Sequence, residues 1–419
     1  MSGSRRMSPD DWATLRFEAT RFFTPSTPIG AAELFAGRRG QISTLINTIG
    51  EPGRHAILYG EPGVGKTSVA QIIQYLIPHN ASRVIYVREP AYSNDTFSSL
   101  WLRIFSQIEL ILVENGQTTR HNLSEIYAAG VSQGDVKRAL YLSFGLNDIP
   151  VIVIDEYNVI KDENVAAEMA ETIKSLSDDG INATIIVVGV SDSVSELVRG
   201  HNSIIRCSEE VLMPRMDKNE IKEVIETRIS KLGMKIDGNA KWKIINLSKG
   251  LPAFAQSLGR GSVVNAIDSR RLTVTEQDVD AAISTTLKSS QNTLRDDYEL
   301  STKSSQDRAR FRQVLTACAL AKADESGYFF PKQVQAPLNS ILGKDVDFAD
   351  FHKIIKDFTS EKRGSILQQK GADRQYRYRF RNPAMQPFVI MKGIEEGFLN
   401  EAAKLALSSP EQADLFSTV

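Results

Sequence analysis

The chain has 419 residues, and at about 150 residues per domain that length predicts roughly two to three domains and excludes one small fold. Hydrophobic residues make up 42% and charged residues 24%, enough apolar side chain to fill more than one core, which excludes global disorder. Lys plus Arg number 50 against 51 Asp plus Glu, so a net charge of -1 gives no chain-wide attraction to nucleic acid or anionic lipid, and any such partner must be held by a local patch.

Two cysteines, Cys207 and Cys318, cannot build a disulfide framework or a multi-cysteine zinc site, which predicts a reducing, cytoplasmic setting. No signal peptide is visible at the N-terminus, and the apolar stretches near 151–154 and 183–190 fall far short of the roughly 18 residues of a membrane helix. A soluble protein with no membrane partner is expected.

Residues 1–30 read as an N-terminal extension; Phe17, Phe22 and Phe23 make it more apolar than a free tail needs, which predicts docking on a neighbour. Strands are predicted at 56–59, 83–87, 151–154 and 184–190. Between them, 66–77, 96–113 and 165–176 carry apolar positions three and four apart, as amphipathic helices do. This alternation predicts a parallel sheet covered on both faces, an α/β domain over 31–212.

From 217 the pattern is wholly helical: 217–232, 241–248, 252–267 and 275–286, the last opened by Thr275 and Asp278 as a near capping box. A helical domain over 213–290 is expected, then a linker or solvated helix, with the linker assigned to 291–307. Helices at 308–321 and 348–360 follow, the second with Phe348, Phe351, Ile354 and Ile355 on one face. Alternating runs at 364–370 and 375–380 flank Gly371-Ala372-Asp373-Arg374 as a turn. Helices followed by a β-hairpin predict an α+β winged-helix domain over 308–397, leaving 398–419 as an unassigned tail.

Gly60-Glu61-Pro62-Gly63-Val64-Gly65-Lys66-Thr67 has the pattern G-x-x-x-x-G-K-T, between a predicted strand and a predicted helix. The glycines let backbone N–H groups face inward around phosphates, and the helix N-terminus adds partial positive charge. Lys66 reaches the β- and γ-phosphates, and the Thr67 hydroxyl can ligate Mg²⁺. Ser68 completes the candidate ATP-binding set. About ninety residues on, the apolar run 151–154 leads directly into Asp155 and Glu156, at the strand end where α/β sheets bind ligands. Asp155 is placed to hold Mg²⁺ through water, and Glu156 to orient and deprotonate the attacking water.

The strand at 184–190 exits at Ser191-Asp192, where Asp192 contacts the γ-phosphate or the water, or else the segment caps a helix at 193–198. Arg206 stands between Ile205 and Cys207; its planar guanidinium suits a phosphate presented by a neighbouring subunit, with a structural ion pair as the alternative.

Together these residues resemble the AAA+ ATPases over roughly residues 31–290. Phe35-Ala36-Gly37-Arg38-Arg39-Gly40-Gln41 is similar to the short Gly-Arg motif of initiator-type AAA+ proteins and STAND NTPases, which implies that Gly37 and Arg38 line an adenine pocket. Gly189-Val190-Ser191-Asp192 resembles the sensor-one strand end, with Asp192 where the initiator families usually carry Asn. Arg206-Cys207 resembles the end of the clamp-loader Ser-Arg-Cys motif, with Ile205 in place of Ser, and implies that Arg206 completes a neighbour's site in trans. Gly250-Leu251-Pro252 falls where sensor two would begin. The usual arginine near Ala253 is missing, and the tripeptide is similar to the Gly-x-Pro motif of STAND NTPases, which puts Pro252 among the candidate nucleotide-binding residues. An AAA+ module followed by a winged helix is most similar to the origin-recognition and initiator ATPases and to bacterial relatives that include transposition regulators and defence ATPases. The resemblance implies a Mg²⁺-dependent ATPase that forms a homo-oligomer with shared ATP sites.

Between Lys362 and Arg381 there are Lys362, Arg363, Lys370, Arg374, Arg377, Arg379 and Arg381 against the single acid Asp373. Tyr376-Arg377-Tyr378-Arg379-Phe380-Arg381 alternates strictly, so as a strand it turns its aromatics to the core and its arginines outward. Arg363, Lys370, Arg374, Arg377 and Arg379 are the candidate contacts to double-stranded DNA, with Lys353 and Lys356 on the preceding helix in reach of a groove. The alternative is a charged outer face, solvated or packed on acidic groups of the same chain.

The function these features predict is an ATP-driven AAA+ protein that couples its nucleotide state to DNA binding or remodelling. A STAND-like switch in signalling or antiviral defence, acting on a protein partner, is the alternative. A small-molecule kinase fits poorly with the large helical domain and the separate C-terminal domain.

Overall fold

A computed structural model describes residues 7–29, 32–78, 83–114, 117–145, 147–199, 203–304, 310–324, 326–372 and 375–399. The chain divides into two compact units, Pro28–Pro214 and Met1–Thr27 together with Arg215–Val419. Arg374 and the end of the expected tail lie outside the described residues.

The first unit is built on five parallel strands: β1 (His55–Gly60), β2 (Arg83–Pro90), β3 (Asp148–Asp155), β4 (Thr184–Val190) and β5 (Ser208–Leu212), in the order β2-β3-β4-β1-β5. The register sets Leu58 of β1 beside Val188 on one side and Val211 on the other. Val151, Ile152, Val153 and Ile154 are all buried, which is why β3 reads as a continuous apolar run without alternation. Helices Phe97–Phe105 and Glu163–Asp178 supply a core in which the Trp101 ring meets the Phe105 edge at 5.7 Å and its N–H points at the Met169 sulfur, 3.3 Å away.

Two local expectations are corrected here. The helix expected over 96–113 stops at Phe105, and Glu109–Glu114 pairs antiparallel with Gln117–Asn122. The reason lies in the residues Leu110-Ile111-Leu112-Val113: a continuous apolar run has no polar face to offer water as a helix, whereas extended it fits a ladder. The helix expected over 66–77 is α-helical over Lys66–Ile72 and tightens to a 3₁₀ turn at Ile73–Tyr75. A fifth strand, β5, joins the four that were expected.

In the second unit the helices Lys218–Lys231, Gly238–Ser248, Pro252–Asp268 and Glu276–Ser289 follow the expected order. The capping box at Thr275 is complete: its N–H and hydroxyl both donate to Asp278, at 2.8 and 2.9 Å. Helix Pro9–Phe22 of the N-terminal extension packs on helix Pro252–Asp268, where the Thr24 N–H donates to Gln256 at 3.0 Å and Phe23 is fully buried. A β-carbon at Gly259 would come within 2.6 Å of the Phe23 ring. The extension, expected to dock on a neighbour, therefore uses Phe23 against its own chain; Phe17 remains exposed.

The stretch 291–307, read as a linker or a solvated helix, contains helix Asn292–Thr302, whose buried Tyr298 donates to Glu396 at 3.1 Å and meets the Phe388 ring edge-on. Beyond it stand helices Phe311–Leu320, Gln335–Leu342 and Phe348–Asp357, then a hairpin of β6 (Leu367–Lys370) and β7 (Arg377–Phe380), then helix Met385–Glu395. Three helices and a hairpin are the element order expected of a winged helix. Tyr378 and Phe380 are buried while Arg377 and Arg379 are half-exposed, the predicted alternation; Phe348 is more exposed than its expected place on the apolar face.

Candidate nucleotide site

The site begins where β1 ends. Gly60 has φ 146°, and a β-carbon there would stand 2.4 Å from the Met213 carbonyl oxygen, so only glycine lets the strand exit this close to the end of β5. Gly63 and Gly65 are left-handed, with φ 80° and 97°, and Gly65 caps helix Lys66–Ile72. Buried Val64 anchors the loop from below, while Pro62 and Gly63 are exposed.

Lys66 is buried, and its ammonium donates to the carbonyls of Gly60 at 2.9 Å and Glu61 at 2.8 Å. Burial pushes it down to about 8, against the opposing pull of Asp155 and Glu61. The Ser68 hydroxyl accepts from the Ile29 N–H at 3.2 Å, and Thr67 is half-buried beside it. The Tyr86 hydroxyl of β2 donates to the Ala70 carbonyl at 2.7 Å, fastening this helix to the sheet.

Gly37 and Arg38 both have positive φ, 75° and 62°, at the start of helix Arg39–Ile49. The Arg38 guanidinium is buried and donates to the Val64 carbonyl at 3.0 Å and the Pro214 carbonyl at 2.6 Å. Arg38 thus grips the phosphate-loop backbone itself.

Asp155 closes β3 as a buried carboxylate. Arg88 of β2 donates to its Oδ2 from Nε at 3.1 Å and Nη2 at 2.7 Å, while its Oδ1 accepts the Glu156 N–H at 2.9 Å. Glu156 is exposed with φ 54°, a left-handed conformation that carries strain in a non-glycine residue, and it turns the chain into Tyr157–Val159. Asn158 in that turn accepts the Val190 N–H at 2.8 Å, so the exit of β3 holds the exit of β4.

Beyond β4, Asp192 is exposed, and its N–H together with the Ser191 hydroxyl donates to Glu196. Ser193 caps helix Val194–Leu197 by accepting from the Glu196 N–H at 3.2 Å, the capping alternative weighed for this segment. Arg206 is exposed in helix Ser203–Cys207, before the first residue of β5. Met213, against Gly60, follows the last. The five residues of β5, about 16 Å at 3.3 Å each, therefore separate Arg206 from the phosphate loop of its own unit.

The residues present fit a nucleotide with a divalent cation. The glycine backbone, Lys66 and the Asp155 carboxylate lie at the C-terminal edge of one parallel sheet. Among the described residues no group of three or more His, Cys, Asp or Glu side chains is placed to hold a metal ion. Sequence reasoning missed Arg88 and Asn158. Arg88 directly follows the predicted strand 83–87, a readable signal of the kind that singled out Asp155.

Residues 50–198 match the AAA domain family. Over that stretch the first unit is similar to AAA domains. The ORC1-type DNA replication protein 1 of Aeropyrum pernix is 23% identical over 183 residues, 43% of this chain and 44% of that protein, so the match spans less than half of the relative's length. The chain also aligns with the Aeropyrum pernix ORC2 protein in its ADPNP and ADP complexes, with TM-score 0.51, 15% identity and coverage of 92% of this chain and 98% of that one, a likeness of fold. The Aeropyrum pernix ORC1 protein in complex with DNA aligns with TM-score 0.47 and 16% identity over 91% and 97% of the two chains.

Elsewhere, Pro252 is the buried first residue of helix Pro252–Asp268 in the second unit, after Lys249 and Gly250, both at positive φ. The hairpin brings three of its expected basic contacts around one ring: Lys370, Arg377 and Arg379 lie 5.7, 5.5 and 4.6 Å from the Tyr328 centroid. Arg377 also pairs with Asp324 at 3.0 Å. Arg363 stacks on Phe311 at 3.7 Å and donates to the carbonyls of Ser301 and Lys303, so it ties helix Asn292–Thr302 to the hairpin domain. No helix among the described residues is long and apolar enough to cross a membrane.

Proposed function

We propose that this chain binds ATP with Mg²⁺ at Gly60–Ser68 and hydrolyses it to ADP and phosphate, coupling the cycle to self-assembly and to DNA. One observation carries the reading: left-handed Gly63 and Gly65, buried Lys66 and buried Asp155 share the C-terminal edge of a single sheet. The loop amides and Lys66 bind the phosphates, with Thr67 and Asp155 the residues that would hold the metal. When bound, Mg²⁺ supplies charge to polarise the transferred phosphoryl group. Glu156, exposed at that edge, orients a water and takes its proton as the water oxygen bonds to the γ-phosphorus and the bridging oxygen leaves with ADP.

Arg206 is assigned to a neighbour's γ-phosphate, a role supported by its exposure and its distance from its own loop. Asp192, exposed beyond β4, is assigned to the γ-phosphate or the water; Gly37 and Arg38 to the adenine side; Pro252 to nucleotide contact. DNA contact is assigned to the hairpin face of Lys370, Arg377 and Arg379, and to Arg363 and Arg374, the last outside the described residues, in keeping with a relative that is a DNA replication protein. The second reading, a nucleotide-held switch that acts on a protein partner, draws on the Lys249-Gly250 turn, where a β-carbon at Gly250 would stand 2.6 Å from the Met216 carbonyl.

ATP hydrolysis measured against protein concentration, with and without duplex DNA, decides between them. A specific activity that rises with concentration and with DNA, and that Glu156→Gln lowers by about a hundredfold or more while ATP still binds, is expected. Slow turnover that ignores both favours the switch.

A further inference from the structure

Both oxygens of the Asp155 carboxylate are engaged by the chain itself. Arg88 pairs in register with Val153, so Asp155, two residues further along β3, lies on the same face of the sheet. The two guanidinium nitrogens converge on a single oxygen, Oδ2, and the Glu156 N–H takes Oδ1. The Asp155 side chain is 3% exposed and that of Arg88 30%, so the acid is fixed in the sheet while the base reaches solvent. Lys66 does not share this task, since its ammonium is held by the Gly60 and Glu61 carbonyls.

A divalent cation drawn to Asp155 thus meets a permanent positive charge within hydrogen-bond distance of the oxygen it needs. Arginine stays protonated at any working pH, so the conflict cannot be relieved by losing a proton. It is relieved by movement. The long, partly exposed side chain of Arg88 can leave Oδ2 for solvent or for a phosphate oxygen, which the buried Asp155 cannot do.

We propose that Arg88 competes with the divalent cation for the Asp155 carboxylate, so that metal capture at this site requires displacement of Arg88. The inference rests on the reading of Asp155 as a metal-holding residue. It makes Arg88 a regulator of when the site becomes competent: nucleotide phosphates that attract the guanidinium free the carboxylate, so metal and nucleotide enter together.

The test uses the full chain and Mn²⁺ as the probe, with free Mn²⁺ followed by its paramagnetic resonance, in the presence and absence of a non-hydrolysable ATP analogue. Arg88→Gln is expected to bind Mn²⁺ about tenfold more tightly than the unaltered chain without nucleotide, the scale of one neighbouring charge, and to lose much of the dependence on nucleotide. Arg88→Lys, which keeps the charge, stays near the unaltered chain, and adding Asp155→Asn to Arg88→Gln removes the gain. If Arg88→Gln binds Mn²⁺ no better, or less well, Arg88 only positions the carboxylate and the proposal is wrong. The comparison of Gln with Lys at one position isolates charge from packing, and circular dichroism checks that both fold. Metal-free binding of a fluorescent ATP analogue to the unaltered chain, run in parallel, tests the nucleotide reading separately, because its failure leaves the Mn²⁺ comparison intact.

Discussion

His55, the first residue of β1, is fully buried, and its Nδ1 accepts the Ile185 N–H of β4 at 3.1 Å. Burial pushes the imidazole down to about 4, with the nearby Arg54 charge acting in the same direction. The folded chain therefore holds His55 neutral where an unfolded chain, at about 6.5, binds a proton. Its contribution to stability is complete above pH 6.5 and is lost as pH falls toward 4, a difference on the order of 3 kcal/mol. Urea unfolding at pH 7.5 and pH 5 is expected to show this loss, and His55→Asn, which keeps an acceptor without titrating, to flatten it. An unchanged pH slope in that variant would assign the effect to other groups. The charged groups of the nucleotide site are paired with equal economy: Asp155 with Arg88, Lys66 with two carbonyls, Arg38 with the loop it supports.

Among the elements, the phosphate loop is the most constrained. Gly60→Ala adds a β-carbon at a position with φ 146° and 2.4 Å from the Met213 carbonyl, where backbone and not a flexible side chain must move. The variant is expected to lose about 1–3 kcal/mol of stability and to bind nucleotide weakly, read by thermal melting and by titration with a fluorescent ATP analogue. A variant that melts and binds normally would show that β1 and β5 tolerate separation.

The hairpin carries a different kind of prediction. Lys370, Arg377 and Arg379 surround Tyr328 and form one basic face. If that face tracks phosphates, replacing Arg377 and Arg379 together by Gln reduces the slope of log affinity for duplex DNA against log salt by about 2. An unchanged slope would remove these residues from the DNA interface. The sequence signal for this element was strong because strict alternation over six residues leaves a strand little choice of face.

At the scale of the molecule, the role proposed for Arg206 would make self-assembly part of the chemistry. It is exposed at the opposite end of β5 from Gly60. Arg206→Ala is therefore expected to abolish hydrolysis while ATP binding persists, and mixtures with a chain lacking Lys66 are expected to regain activity across the shared site. Normal turnover in Arg206→Ala would end the shared-site reading.

The parallel sheet, its helices, the phosphate loop and the Asp155-Glu156 pair were all legible in the sequence, because each is specified by residues adjacent in the chain. A buried strand must be apolar, a left-handed turn favours glycine, and the two acids directly follow the apolar run in the chain. What the tertiary structure alone decided were the relations between distant segments. The pairing of Arg88 with Asp155, 67 residues away, depends on β2 lying beside β3 in register, and the grip of Arg38 on Val64 depends on how a helix start meets a loop. The packing of the extension 1–30 and of the stretch 291–307 on the rest of the chain was not legible for the same reason: polar or isolated segments reveal a partner surface only once the chain has brought it to them. Local propensity sets what each segment becomes, and packing of sequence-distant surfaces sets which charges meet.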